Sequence, residues 1–133
     1  MEIKTIVLDT NIYSLSQRAD SFSISILEHS NRIIICPIVL GELLAGFKYG
    51  SKEQENLNTL NKFLDSPRVE IVDVTEATAN HYSQIYSDLR EAGTPIPAND
   101  MWIAAIAKEN GVPLATADNH FTKVPGLLLI QPN

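Results

Sequence analysis

Short apolar runs separated by longer stretches of helical periodicity set the pattern of this chain. The runs are continuous rather than alternating, and each is bounded by turn-forming or polar residues, which predicts strands buried on both faces of a parallel sheet. They lie at residues 5–8, 33–36, 69–74, 112–116 and 127–130. The first run ends on Asp9, and Thr10 and Asn11 are predicted to turn the chain into a polar stretch that reaches Asp20.

The segments between these runs begin with helix-start signals. Asp20 or Ser21 caps a first helix, Pro37 suits the first turn of a second, and Thr75 caps a fourth. The third and fifth starts are predicted from an S-x-x-Q capping box over residues 51–54 and from an Asn cap at position 99. Apolar faces follow these starts: Leu57, Leu60 and Leu64; Tyr82, Ile85, Tyr86 and Leu89; and nearly every side of residues 100–109.

Strands that alternate with helices predict an α/β fold. We expect one domain over residues 1–133, a sandwich with a central, mainly parallel sheet of four to five strands flanked by helices. The chain shows no repeat, low-complexity segment or linker that would divide it.

Composition narrows the class of protein. The single cysteine, Cys36, lies in an apolar run, which excludes an internal disulfide and a cysteine metal cage and predicts a buried thiol. No leader and no apolar stretch near the ~20 residues of a membrane span is visible, so a cytoplasmic protein without a membrane partner is expected. The net charge of −6 argues against a broad basic face for nucleic acid. A nuclease remains compatible, because bound divalent ions offset acids where a phosphate approaches.

Acidic residues follow several of the predicted strands. Asp9 and Asp118 come directly after the first and fourth strands, and Glu42 lies in the helix that leaves the second. Parallel strands exit at one edge of a sheet, so these three side chains are predicted to share that edge. Asp100 joins them if its helix begins there. Taken singly, Asp100 also fits a helix cap, and Asp9 and Asp118 fit turn acids.

Glu42 is the most informative acid, because apolar residues surround it on both sides in the sequence. A buried carboxylate needs a partner, which is either an arginine such as Arg32 or Arg90 or a cation shared with the other acids. Carboxylates ~4 Å apart repel by ~4 kcal/mol at an effective dielectric near 20. An all-oxygen cluster selects Mg²⁺ or Mn²⁺, ions that activate water and bind phosphoryl oxygens. Phosphodiester hydrolysis is the predicted chemistry.

The chain resembles the PIN-domain ribonucleases, most closely the VapC-like toxins of toxin–antitoxin pairs. The matching stretches are V-L-D-T-N at residues 7–11, the lone Glu42, I-P-A-N-D-M-W-I-A-A at 96–105, L-A-T-A-D-N-H-F at 114–121 and V-P-G-L at 124–127. They run from the first predicted strand to the last, and their order and spacing make the resemblance specific.

The resemblance implies a three-layer PIN-like sandwich and a metal-dependent endoribonuclease. It implies that Asp9, Glu42, Asp100 and Asp118 hold Mg²⁺ or Mn²⁺ and carry the catalysis. The small polar residues Thr10, Asn11 and Thr116 match positions that support such a site. RNA as the substrate (transfer RNA is a frequent one in this group), a small antitoxin as the partner and a homodimer are further implications.

Other interpretations stay open at this point. His120 is a weaker candidate for a contact with the substrate phosphate, and a solvated loop histidine explains it equally well. Another Mg²⁺ enzyme could use Asp9 as the nucleophile of a phosphohydrolase, although Asn11 occupies the place where that chemistry requires a second acid. A metal-binding interaction module without enzymatic activity is the third alternative.

Overall fold

The computed structural model describes residues 3–133, which form five strands and six α-helices. The strands are β1 (Ile3–Leu8), β2 (Ser30–Ile35), β3 (Val69–Ile71), β4 (Leu114–Ala115) and β5 (Leu129–Ile130). The helices are α1 (Thr10–Ser16), α2 (Ser21–His29), α3 (Pro37–Tyr49), α4 (Glu53–Leu64), α5 (Glu76–Ala92) and α6 (Ala98–Asn110). A short 3-10 helix covers Asn119–Lys123.

The five strands form one parallel sheet in the order β3-β2-β1-β4-β5, so the predicted α/β class and strand count are confirmed. β1 lies in the centre, and its last three residues are fully buried together with residues 33–36 on the neighbouring strand and just beyond it. The outer strands are shorter than predicted. Of residues 69–74, Val69–Ile71 form the strand, and the Val72 N–H still donates to the Ile35 carbonyl at 3.1 Å.

The strand order reverses between β1 and β4. The chain first adds β2 and β3 on one side of β1 and then crosses to place β4 on the other side. In open α/β sheets, ligands bind in the crevice outside the carboxyl ends of the strands at such a reversal. The segments that leave β1 and β4 carry Asp9 and Asp118, so the fold brings these two acids to that crevice.

Helix starts agree with the sequence in some places and differ in others. Asp20, Pro37 and Thr75 stand at the N-termini of α2, α3 and α5 as predicted. The prediction of a capping box at residues 51–54 is wrong. α4 begins at Glu53 without a side-chain cap, and Lys48 pairs with Glu53 at 3.0 Å across the turn between the helices.

Two further predictions about helices are wrong. α6 starts at Ala98 after Pro97, so Asn99 lies inside the helix and does not cap it. The polar stretch after Asp9 contains α1, which Ile12 and Tyr13 anchor in the core. Three apolar residues, Ile12, Tyr13 and Leu15, are too few to produce a visible helical period, which explains why the sequence predicts a turn here.

α5 and α6 pack against each other, and α6 contacts β1 in the centre of the sheet. Ile85 and Leu89 are buried as predicted, whereas Tyr86 is 46% exposed because it lies at the rim of the α5 stripe. Tyr82 stacks on Trp102 with ring centroids 4.1 Å apart, which assigns Trp102 a packing contact. Cys36 is fully buried. No helix within residues 3–133 has the length and apolar character needed to cross a bilayer.

Candidate metal centre

Asp9 lies at the end of the central strand and is 4% exposed. Both of its carboxylate oxygens accept hydrogen bonds: Oδ1 from the Thr10 backbone N–H at 2.8 Å and Oδ2 from the Thr116 hydroxyl at 2.6 Å. Asp9 therefore starts α1 and connects it to the segment after β4. The two hydrogen bonds fix the orientation of this carboxylate before any ligand arrives.

The segment after β4 is held in place by small polar side chains. Thr116 accepts a hydrogen bond from the Asp118 backbone N–H at 2.9 Å through the same hydroxyl that donates to Asp9. Asn11 accepts one from the Ala117 backbone N–H at 3.1 Å. Thr116 and Asn11 thus bind the first and fourth strand ends together.

Glu42 lies on α3 and faces the same crevice. The Thr10 hydroxyl donates to its Oε1 at 2.6 Å, and the Asn99 side-chain amide donates to its Oε2 at 3.4 Å. Asn99, which sequence reasoning treated as a helix cap, therefore connects the start of α6 to the acid on α3. Glu42 is half-buried and less enclosed than its sequence neighbours suggest, because the outer side of α3 is exposed.

Neither arginine considered as a partner for Glu42 takes that role. Arg32 forms an ion pair with Glu70 at the sheet edge, and Arg90 donates to the Tyr86 hydroxyl on α5. Within residues 3–133, no lysine or arginine pairs with Glu42, which leaves its charge to hydroxyl and amide donors.

His120 joins Asp100 and Asp118. Its Nδ1 lies 3.0 Å from Asp100 Oδ2 and 3.2 Å from Asp118 Oδ2, and its backbone N–H donates to Asp118 Oδ1 at 2.9 Å. Ligand atoms of these three residues all lie within 4.8 Å of one another, and no other group of three such residues in the described chain does so. The sequence indicates only that His120 lies two residues after Asp118, and it does not indicate that both lie beside Asp100.

Two acids of the crevice, Asp9 and Asp100, have raised pKa values. Burial raises the pKa of Asp9 from 3.8 to about 6, and the charges of Asp100 and Glu42 raise it as well, whereas hydrogen bonds from Thr116 and Thr10 lower it. Burial is also the largest cause that raises the pKa of Asp100, with the charge of Asp118 adding to it and the contact with His120 opposing it.

The donor set fits a divalent cation. Asp100, Asp118 and His120 offer two carboxylates and an imidazole within reach of one ion. Burial is the main reason that the pKa values of Asp9 and Asp100 are raised, and the charges of neighbouring acids add to it. Asp9 and Glu42 lie beside this set and are electrostatically coupled to Asp100, although they are not part of the compact triad. A hard cation would offset the repulsion among these acids.

Comparison with known proteins identifies the family. The sequence profile of the PIN domain matches residues 6–127. This chain belongs to the PIN-domain family. Two similar PIN-domain relatives are Ribonuclease VapC2 of Rickettsia felis, 33% identical over 92% of this chain and 94% of the relative, and the tRNA(fMet)-specific endonuclease VapC of Salmonella typhimurium, 28% identical over 91% and 92%.

Solved structures agree with this PIN-domain assignment. A crystal structure of VapBC2 from Rickettsia felis, bound to a DNA fragment from its promoter, contains a chain with a TM-score of 0.85 and 29% identity, covering 96% of this chain and 98% of that one. DNA-bound VapBC from Salmonella typhimurium gives a TM-score of 0.81 at 27% identity, with 98% of both chains covered. The fold of this PIN domain is that of the VapC chains.

Proposed function

We propose that this protein is a metal-dependent endoribonuclease and the toxin of a toxin–antitoxin pair. One observation carries the proposal: acidic side chains from the segments after β1 and β4 and from α3 and α6 converge on the crevice where the strand order reverses. Ribonucleases and an endonuclease among the relatives of similar length support the reaction class.

Asp9, Glu42, Asp100 and Asp118 are the proposed ligands of Mg²⁺ or Mn²⁺. Bound there, the ion would supply an activated water and stabilise the negative charge that develops on the phosphoryl oxygens. The four carboxylates are held in fixed orientations, because each accepts at least one hydrogen bond or contacts His120. Thr10, Asn11 and Thr116 are the proposed supporting residues.

His120 is the proposed contact to the substrate phosphate. Asp100 and Asp118 hold its Nδ1, and its side chain is 46% exposed. The other ring nitrogen makes no hydrogen bond with the rest of the described chain, so it is available to a ligand in the crevice.

The geometry does not favour a phosphohydrolase that attacks through Asp9. Both oxygens of that carboxylate accept hydrogen bonds and the residue is 4% exposed, which leaves little room for attack on phosphorus. Asn11, at the position where such chemistry requires an acid, is engaged with the Ala117 backbone. Water activated at the metal centre is the nucleophile we propose.

The proposed partners are RNA, with transfer RNA as one candidate substrate, a small antitoxin and a second copy of this chain. The tRNA(fMet)-specific VapC supports the first, and the VapBC complexes support the second. We place the reaction in the cytoplasm, where its proposed substrate is found.

The decisive experiment compares the purified protein with Asp100→Asn on total cellular RNA, each with Mg²⁺ or Mn²⁺ and with chelator. Wild type should cleave only with metal, and the variant should remain folded and lose cleavage. Divalent ions should also raise the melting temperature of wild type, since a ligand at ~100 times its Kd stabilises the folded state by ~2.7 kcal/mol. Full activity of folded Asp100→Asn, or cleavage that persists in chelator, would refute the proposal.

A further inference from the structure

A groove opens beside the metal centre between α1, α3 and α4. Its volume is about 560 Å³. Thr10 and Glu42, which hydrogen-bond to each other at 2.6 Å, line it and also belong to the acidic crevice. A ligand strand bound at the metal centre can therefore continue into this groove without leaving the surface.

The groove differs from the crevice in charge and in chemistry. Glu42 is the only acid among the described residues that line it, whereas two cations, Arg18 and Lys52, contribute to its wall. The remaining polar lining consists of hydroxyl and amide side chains: Tyr13, Ser14, Gln17, Asn56 and Thr59. Such groups match the oxygen-rich backbone of a nucleic acid, and the cations match its phosphates.

The two cations have no partner of their own. In residues 3–133 the side chains of Arg18 and Lys52 make no hydrogen bond or ion pair with another residue, and both residues are exposed. Several cations outside the groove are engaged, such as Lys48 with Glu53 and Lys108 with the Pro125 carbonyl, whereas Lys62 on α4 is exposed and unpartnered in the described chain. In a chain with a net charge of −6, unpaired cations in one groove next to an acidic centre indicate an anionic ligand.

We propose that this groove binds the backbone of single-stranded RNA next to the cleaved phosphodiester, with Arg18 and Lys52 each contacting a phosphate. The inference rests on the proposed endoribonuclease function and adds the substrate class and its direction of approach. The groove volume lies in the range of small-ligand clefts, which accommodates a short length of one strand.

The test measures binding of a fluorescein-labelled single-stranded RNA of about twelve nucleotides and mixed sequence by anisotropy. Asp100→Asn is the background, so that Mg²⁺ can be present without cleavage. Arg18→Gln and Lys52→Gln are compared with Lys62→Gln, which removes an exposed, unpartnered cation from α4 outside the groove. Arg18→Lys serves as the conservative variant.

Each groove variant should weaken binding by about threefold to tenfold. Each should also reduce the steepness of the slope of log affinity against log salt concentration by about 0.7. This is the change expected when one phosphate contact to a single strand is lost. Lys62→Gln and Arg18→Lys should keep the salt slope of the background. Affinities and slopes of both groove variants equal to that of Lys62→Gln would overturn the inference, as would a loss confined to binding of a co-expressed antitoxin.

The two proposals fail in different ways. Metal-dependent cleavage of total RNA by wild type, together with groove variants that bind RNA like Lys62→Gln, would remove only the groove assignment. Absence of cleavage by wild type, together with weakened binding in both groove variants, would remove the nuclease and leave an RNA-binding groove.

Discussion

At the scale of single residues, the positions of the acids can be predicted from the sequence, whereas the hydrogen bonds that they form with distant residues cannot. Asp9 and Asp118 lie at the strand ends where their spacing placed them, because a buried parallel strand fixes where its last residue emerges. The link from His120 to Asp100 spans two elements that are remote in the sequence, and nothing in local periodicity specifies it. The roles of these residues in metal binding and catalysis stay predictions.

Asp9→Asn should stabilise the metal-free protein at neutral pH. Because the pKa of Asp9 rises from 3.8 to about 6 on folding, the folded state holds a proton more tightly than the unfolded state. The stability that Asp9 contributes is present below pH 3.8 and is lost as the pH rises through about 6. Urea unfolding in chelator should therefore give an advantage on the order of 3 kcal/mol for the variant at pH 8 and almost none at pH 4.

The control for this prediction is Asp73→Asn, which changes an exposed acid outside the crevice. Its unfolding free energy should follow that of wild type at both pH values. An Asp9→Asn protein that is equally or less stable than wild type at pH 8 would mean that burial does not disfavour the charged carboxylate.

At the scale of elements, strands and long helices were predictable, and helix starts were predictable only where the signal is local. Thr75 and Asp20 work as caps because their partners lie within one turn. The start of α4 depends on how the turn after α3 packs, and the start of α6 on Pro97, so the apparent signals at Ser51 and Asn99 were misleading. α1 has too few apolar residues to be recognised and is formed by contacts with the core.

The contact between α5 and α6 predicts a stability effect far from the metal centre. Thr78 is fully buried, accepts from the Thr75 N–H at 3.0 Å and donates to Glu109 Oε1 at 2.6 Å. Thr78→Val keeps the shape and removes both bonds, which should lower the unfolding free energy by about 1–3 kcal/mol. Ser83→Ala, which removes an exposed hydroxyl from the same helix, should change it by less than about 0.5 kcal/mol. Equal losses in the two variants, measured by urea unfolding, would contradict this account.

At the scale of the whole molecule, the outer face of α3 remains uncovered. Leu44 is 38% exposed and Tyr49 96% exposed, with Gly41 and Ala45 exposed beside them. Exposed apolar side chains grouped on one helix indicate an interaction surface. This face is our proposed location for the homodimer contact that the family resemblance implies.

Leu44→Glu should therefore convert the dimer to a monomer, because it would bury a charge at the contact. Leu128→Glu makes the same change at a side chain that is 59% exposed and lies outside α3, and it should leave the dimer intact. Size-exclusion chromatography with light scattering distinguishes the two. A wild-type monomer, or a dimer that survives Leu44→Glu, would rule out α3 as the contact.

The hydrogen bond between Thr116 and Asp9 joins residues 107 positions apart. Thr116 directly follows β4, which pairs on one side with β1 and on the other with β5. A chain in which β4 has not yet paired with β1 therefore has Asp9 but lacks the hydroxyl that orients its carboxylate. A partly folded chain is thus expected to lack the oriented acid of the crevice, because that orientation depends on a contact between two distant segments.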